Sequence, residues 1–154
     1  MRRAAADADT VVVRPRKTMI VAWVCAVVVF ALFVVVAVVL RTAETGVFFR
    51  LADQIAMAAI GALIAGGVLL LARPRVRADA EGIEVRNVLV TRRLPWDVVE
   101  RVAFPDGASW ARLELIGDDY LPVLAIQAVD GQRAVEGIRR VRALHAAAAR
   151  SRRP

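Results

Sequence analysis

Only one cysteine (Cys25) and one histidine (His145) occur in the 154 residues. Cys25 lies inside an apolar run, so an intramolecular disulfide, a multi-cysteine metal site and a Cys–His catalytic pair are all excluded, and cysteine pairing reveals nothing about redox compartment. A glycine-rich phosphate loop is missing too. The stretches "DGAS" and "IAGG" lack the lysine and the strand-to-helix context that phosphate cradling requires. Asp118 and Asp119 adjoin a glycine, which is turn chemistry, and a calcium site would need more oxygen ligands than this stretch offers. His145 falls on an apolar stripe, where a satisfied or boundary histidine is expected rather than a ligand or a base. No catalytic set, cofactor or metal is therefore expected, and the chain reads as a non-enzyme.

Charge is the other scarcity. Neither residues 18–40 nor residues 54–72 contain a charged side chain, although the chain as a whole carries a net charge of +7. Each run is long enough to cross a hydrocarbon core of about 30 Å as a helix. The first is too long, starts too late and ends too poorly in "VVLRTAET" for a cleaved signal peptide, and it has no polar face for a buried core helix. Together they read as a transmembrane helical hairpin, with spans at 18–40 and 52–72 and a connecting loop at 41–51. Phe48 and Phe49 in that loop are expected at headgroup depth. In the second run Ala58, Ala62 and Gly66 recur every four residues, as do Gly61 and Ala65. Small residues at this spacing let helix backbones approach closely, and Ala22 and Ala26 offer a facing surface. Ala58, Ala62 and Gly66 form the candidate helix-packing stripe.

The flanks orient the hairpin. Arg14, Arg16 and Lys17 precede the first span and Arg73, Arg75 and Arg77 follow the second, whereas the loop carries only Arg41 and Arg50 beside Glu44 and Asp53. The positive-inside rule then puts both termini in the cytoplasm, residues 1–17 forming a basic cytoplasmic arm, the loop outside and the protein in the plasma membrane. Arg73, Arg75 and Arg77 are also the candidate contacts to anionic lipid headgroups, through non-specific attraction.

From Val76 the pattern changes to period two. "RVRADAEGIEVRN" predicts two strands joined at Asp79–Gly82, with Ile83 and Val85 on one face. "VLVTRRLPW" predicts a strand on which Val90, Arg92, Leu94 and Trp96 share a face, and Pro95 holds Leu94 extended. "ERVAF" alternates Val102 and Phe104 against Arg101 and Ala103. "WARLELI" turns Ala111, Leu113 and Leu115 inward and Trp110, Arg112 and Glu114 outward. "YLPVLAIQAV" is apolar on both faces, and Pro122 marks an edge or a bulge. Beyond Gly131, the residues Ala134, Val135, Ile138, Val141, Leu144, His145 and Ala148 fall at helical steps, with Asp130 as the expected N-cap and a disordered basic tail over 149–154.

This order of elements, with "GIEVRN", then "RRLPWDVVERVAFP", then "LPVLAIQAVDGQRA" and a closing helix, resembles the bacterial pleckstrin-homology-like (PH-like) domains. It is most similar to the small two-span membrane PH-domain proteins of high-GC Gram-positive bacteria, of the low-molecular-weight protein antigen type. The resemblance implies an α+β PH-like domain over residues 73–148: an antiparallel β-sandwich or barrel capped at one open end by the C-terminal α-helix. Lipid-binding eukaryotic domains of this fold grip phosphates with basic residues in the loop between their first two strands. The corresponding turn here, "RADAEGIE", is acidic, so no specific phosphoinositide is expected. The arginines of the C-terminal helix face outward on a domain of mixed charge, so no nucleic acid is expected either.

Two expectations about surfaces follow. Trp96 should be buried in the core, because a tryptophan brings a large apolar area to a small domain. Trp110 and Arg112, with Arg92 and Arg93, form the candidate interaction surface. The expected role is a non-catalytic protein-interaction or scaffolding module at the inner face of the membrane, with another membrane protein as partner. The alternative is an accessory subunit of a membrane enzyme or transporter acting through its helices.

Overall fold

The computed structural model describes residues 10–42 and 50–152, so Phe48 and Phe49 lie outside the described residues. The chain divides into two compact units, residues 18–72 and residues 1–17 together with 73–154.

The first unit is a pair of helices, α1 (Arg16–Thr42) and α2 (Leu51–Leu69), the latter followed by a 3-10 turn over Leu70–Ala72. Both are long and apolar enough to cross a membrane. Valine dominates α1 and alanine and glycine enrich α2, so the pair can approach closely only where both surfaces are small. Ala22, Ala26 and Ala37 are the buried residues of α1, and Gly61 and Ala65 those of α2. A Cβ on Gly61 would lie 2.5 Å from Cβ of Phe33.

The candidate packing stripe lies mostly off this contact. Ala58 is half-buried, but Ala62 and Gly66 are exposed, and a Cβ on Gly66 would meet nothing within 4 Å. Neighbouring helical residues are about 100° apart, so the Gly61 and Gly66 registers cannot both face α1, and Phe33 selects Gly61. At the loop end Nη1 of Arg41 donates to Oε1 of Gln54 at 2.8 Å. Gly61→Leu should force the helices apart at an overpacking cost of about 1–3 kcal/mol. Gly66→Leu should leave them in place. Spin-label distances across the hairpin in nanodiscs measure both.

The second unit holds two antiparallel sheets. One has the order β1-β2-β3-β4, with β1 at Val11–Val13, β2 at Arg75–Ala78, β3 at Gly82–Arg86 and β4 at Thr91–Pro95. The other has the order β5-β6-β7, with β5 at Val99–Ala103, β6 at Trp110–Leu115 and β7 at Tyr120–Gln127. A 3-10 turn (Ala128–Asp130) leads into α3 (Gln132–Ser151).

Three valines in the stretch read as a basic arm form β1, pairing Val12 with Arg77 and Val13 with Val76. β-Branched residues suit a pleated surface, and β2 offers them an otherwise unpaired edge. The hairpin is thus inserted between two hydrogen-bonded neighbours of one sheet.

The core lies between the sheets and under α3: Val76, Ile83, Val85, Trp96, Leu113, Val123, Ile126 and Val141 are almost fully buried. Alternation holds in β3 and β6. In β5 a register shift between Val99 and Arg101 lets Ala103 bury beside Val102, with Phe104 only partly covered. A second shift bends β7 so that Ala125 and Ile126 are both buried. Pro122 sits on β7, an edge strand, where its missing N–H costs no ladder bond.

α3 differs from its expected stripe at two points. Val135 is 40% exposed, and Gly137 takes the buried position, with the side chain of Val13 about 3.1 Å from where its Cβ would be. The unforeseen strand β1 therefore turns the helix. Alanines carry α3 through Ser151, beyond the expected end at 148, because alanine is the strongest helix former.

Asp130 is also reassigned. Its Oδ1 accepts the backbone N–H of Lys17 at 3.0 Å, in the first turn of α1, while α3 is N-capped by Gly131 without a side-chain bond. The first turn of α1 has no acidic residue of its own, so Asp130 supplies both the acceptor and the negative charge that a helix N-terminus favours. Two antiparallel sheets closed by a C-terminal helix make this a PH-like fold.

Candidate interaction surface

A seven-stranded sandwich that is not a closed barrel has four outer strand edges. Exposed edges template pairing with other chains, so the way each is covered bears directly on function. On β5, Nε of Arg142 donates to the carbonyl of Val102 at 2.8 Å, and Nε2 of His145 lies 2.9 Å from the carbonyl of Val99. A carbonyl only accepts, so this bond assigns the proton to Nε2. The same imidazole lies 5.4 Å from the Trp96 ring, between centroids. His145 is therefore the satisfied boundary histidine expected of it. On β7, Asn87 acts as a clamp: its Nδ2 donates to the carbonyl of Pro122 at 2.8 Å and its Oδ1 accepts from the N–H of Leu124 at 3.2 Å. β1 is three residues long and is closed by the buried Pro15. Among the described residues β4 has β3 as its only strand neighbour.

The residues of the expected cluster lie on two elements, Trp110 and Arg112 on β6, the central strand of one sheet, and Arg92 and Arg93 on β4, an edge of the other. Trp110 opens β6 opposite Gln127 and is 45% exposed. Arg112 donates from Nε and Nη2 to Oε1 of Glu114 at 3.0 and 2.8 Å, and its guanidinium lies 5.8 Å from the Tyr120 ring. Arg101 Nε binds the other oxygen of Glu114 at 2.7 Å. Hydrogen bonds from Arg112, and then from Arg101, hold the Glu114 carboxyl below its ordinary value. A depressed carboxylate keeps such pairs intact above the ordinary carboxylate range and loses them as pH falls through the lowered value. Trp110 therefore offers an apolar ring on a face where Arg101 and Arg112 are both held by Glu114.

The register sends Arg92 and Arg93 to opposite faces of their sheet: Arg92 is opposite Val85 and Arg93 opposite Glu84. Arg93 is ion-paired to Glu81 at 3.4 Å and to Asp79 at 3.6 Å. Arg92 is exposed, with no ion pair among the described residues. It lines a groove of about 480 Å3 together with Val85, Leu89, Val90, Asp119, Tyr120 and Leu121. Of the three arginines expected at lipid headgroups, Arg75 pairs with Glu84 at 3.5 Å and is half-buried, Arg73 is exposed, and Arg77 is exposed with a partner of its own.

Sequence reasoning missed β1, the Asn87 clamp and the two bonds from α3 to β5. The run Val11-Val12-Val13 before Pro15 was a legible strand signal. The clamp had none, because it joins residues 35 and 37 positions apart.

A model of the bacterial PH-domain family matches residues 73–144. Uncharacterized proteins of Mycobacterium bovis and Mycobacterium tuberculosis are 46% identical over 134 residues, covering 87% of this chain and 87% of theirs. No solved structure matches the chain significantly.

Proposed function

The chain belongs to the bacterial PH-domain family, and we propose from that premise that it is an integral membrane protein whose PH-like domain is a non-catalytic protein-interaction or scaffolding module on the cytoplasmic face. The observation that carries this reading is the pairing of β1 with β2. Strands on either side of the two apolar helices belong to one sheet and so share one compartment, which requires an even number of crossings between them. Basic residues flank both sides of the hairpin, which supports the cytoplasm as that compartment. The exposed Trp110 supplies the kind of aromatic anchor that interfaces favour.

Photocrosslinking from position 110 in native membranes tests the reading, with recovery of a defined membrane-protein partner expected. No partner from position 110 or from β4 would sink it. A C-terminal tag cleaved by protease added from outside intact cells would overturn the topology.

A second reading is favoured by one observation: Ala62 and Gly66 face away from α1. An accessory subunit of a membrane enzyme or transporter would use this surface against a partner helix. Replacing both with leucine should then abolish co-purification while leaving the hairpin and the PH-like domain folded. Unchanged co-purification removes this alternative.

A further inference from the structure

We propose that the free edge of β4 receives an extended segment of another protein as an added strand, with an acidic residue facing Arg92 and apolar residues two positions to either side. This deepens the interaction-module reading and rests on it.

The edges of the second sheet are occupied by side chains of the chain itself: Arg142 and His145 on β5, Asn87 on β7. β4 is five residues long, all of them exposed except the half-buried Leu94. Beside it lie exposed apolar side chains, with Leu89 82%, Val90 54% and Tyr120 60% exposed around the groove. An extended peptide gains main-chain bonds from such an edge and specificity from alternate side chains entering an adjoining groove.

Charge decides the occupant. Arg93 is neutralised by Asp79 and Glu81, but Arg92 has no ion pair among the described residues and brings its charge to a largely apolar groove, whose one acidic lining residue, Asp119, accepts the N–H of Tyr120. A second copy adding its own β4 in the register centred on Arg92 would set Arg92 against Arg92, and like charges in facing positions destabilise a strand pair. An acidic residue with apolar neighbours at alternate positions meets both requirements.

The amide of Asn87 bonds the carbonyl of Val90, so alternation points the amides of Arg92 and Leu94 toward β3 and those of Thr91 and Arg93 outward. Arg93→Pro therefore removes an outward donor and spares the ladder to β3, and Arg93→Ala controls for the lost ion pairs.

The test is selection of displayed octapeptides on the full chain in phosphatidylcholine nanodiscs. Selected peptides should carry aspartate or glutamate two positions from apolar residues. Their binding should fall about tenfold or more in Arg92→Glu and in Arg93→Pro, and persist in Arg93→Ala. Three results overturn the proposal: no enrichment, binding unaffected by Arg93→Pro, or self-association of the parent that Arg93→Pro abolishes. If any of these occurs while position 110 still captures a membrane protein, the interaction-module reading stands and only the β4 edge is withdrawn.

Discussion

Trp96→Ala should destabilise the PH-like domain by about 3–5 kcal/mol, the usual cost of emptying a large aromatic site in a packed core. Trp96 is 2% exposed and is the largest of the fully buried side chains. Its indole Nε1 donates to the carbonyl of Asp79 at 2.8 Å, at the β2–β3 turn, and its ring lies against His145 of α3. One side chain thus joins the first sheet, the corner between the sheets and the closing helix. Its removal leaves a cavity and takes the donor from a part-buried carbonyl. Trp110→Ala, at a half-exposed site, should cost no more than about 0.5–1 kcal/mol. Hydrogen exchange of β3 and β4 in the full chain reads the difference directly. Global opening should be at least about a hundredfold more frequent in Trp96→Ala, and nearly unchanged in Trp110→Ala. Equal losses would mean that Trp110 is a structural residue and no candidate for an interface.

Gly82→Ala should be nearly as damaging, although it adds a single methyl group. Gly82 opens β3 and pairs with Pro95 of β4. A Cβ there would fall on the carbonyl oxygen of Leu94 and 3.0 Å from Cα of Pro95. Those atoms are backbone and cannot rotate aside, so β4 must move away from β3. Asp79 holds the turn from the other side, its Oδ1 accepting the N–H groups of Glu81 and Gly82 at 3.0 Å each. The expected cost is about 3 kcal/mol, at the upper end for overpacking, and Trp96, the next residue after Pro95, should lose its bond to Asp79. A red shift of tryptophan emission, together with faster exchange in β4, would register both effects. A variant as stable as the parent would mean that the close approach at Gly82 is relieved by a shift of β4 that Trp96 tolerates.

Much of the architecture was legible because it depends on local periodicity. Two uncharged runs specify two long helices, and alternation in "GIEVR" and "WARLEL" specifies the inward faces of β3 and β6. Trp96 was legible as core for the same reason, lying two residues beyond Leu94 at the end of an alternating strand. The candidate surface was less legible. Alternation separated Arg92 from Arg93 but could not show that Glu81 and Asp79 neutralise one and leave the other free. Nor could it show that Arg112 is spent on Glu114. Arg93 meets its partners at the β2–β3 turn and Arg112 meets Glu114 two positions along β6, and an exposed arginine reads the same in sequence whether or not a partner reaches it.

Composition, hydrophobic period and turn residues thus determined the elements, their order and the apolar side of most of them, since each follows from neighbours within one or two turns of chain. Tertiary structure alone decided where those elements docked. It drew Val11–Val13 onto β2 across the whole helical hairpin and seated α3 on Val13 through Gly137. It turned Asp130 from its own helix to the first turn of α1, and chose Gly61 over Gly66 as the contact between helices. In each case several partners were locally acceptable, and the choice fell to close packing and to the satisfaction of backbone donors and acceptors between residues far apart in the chain.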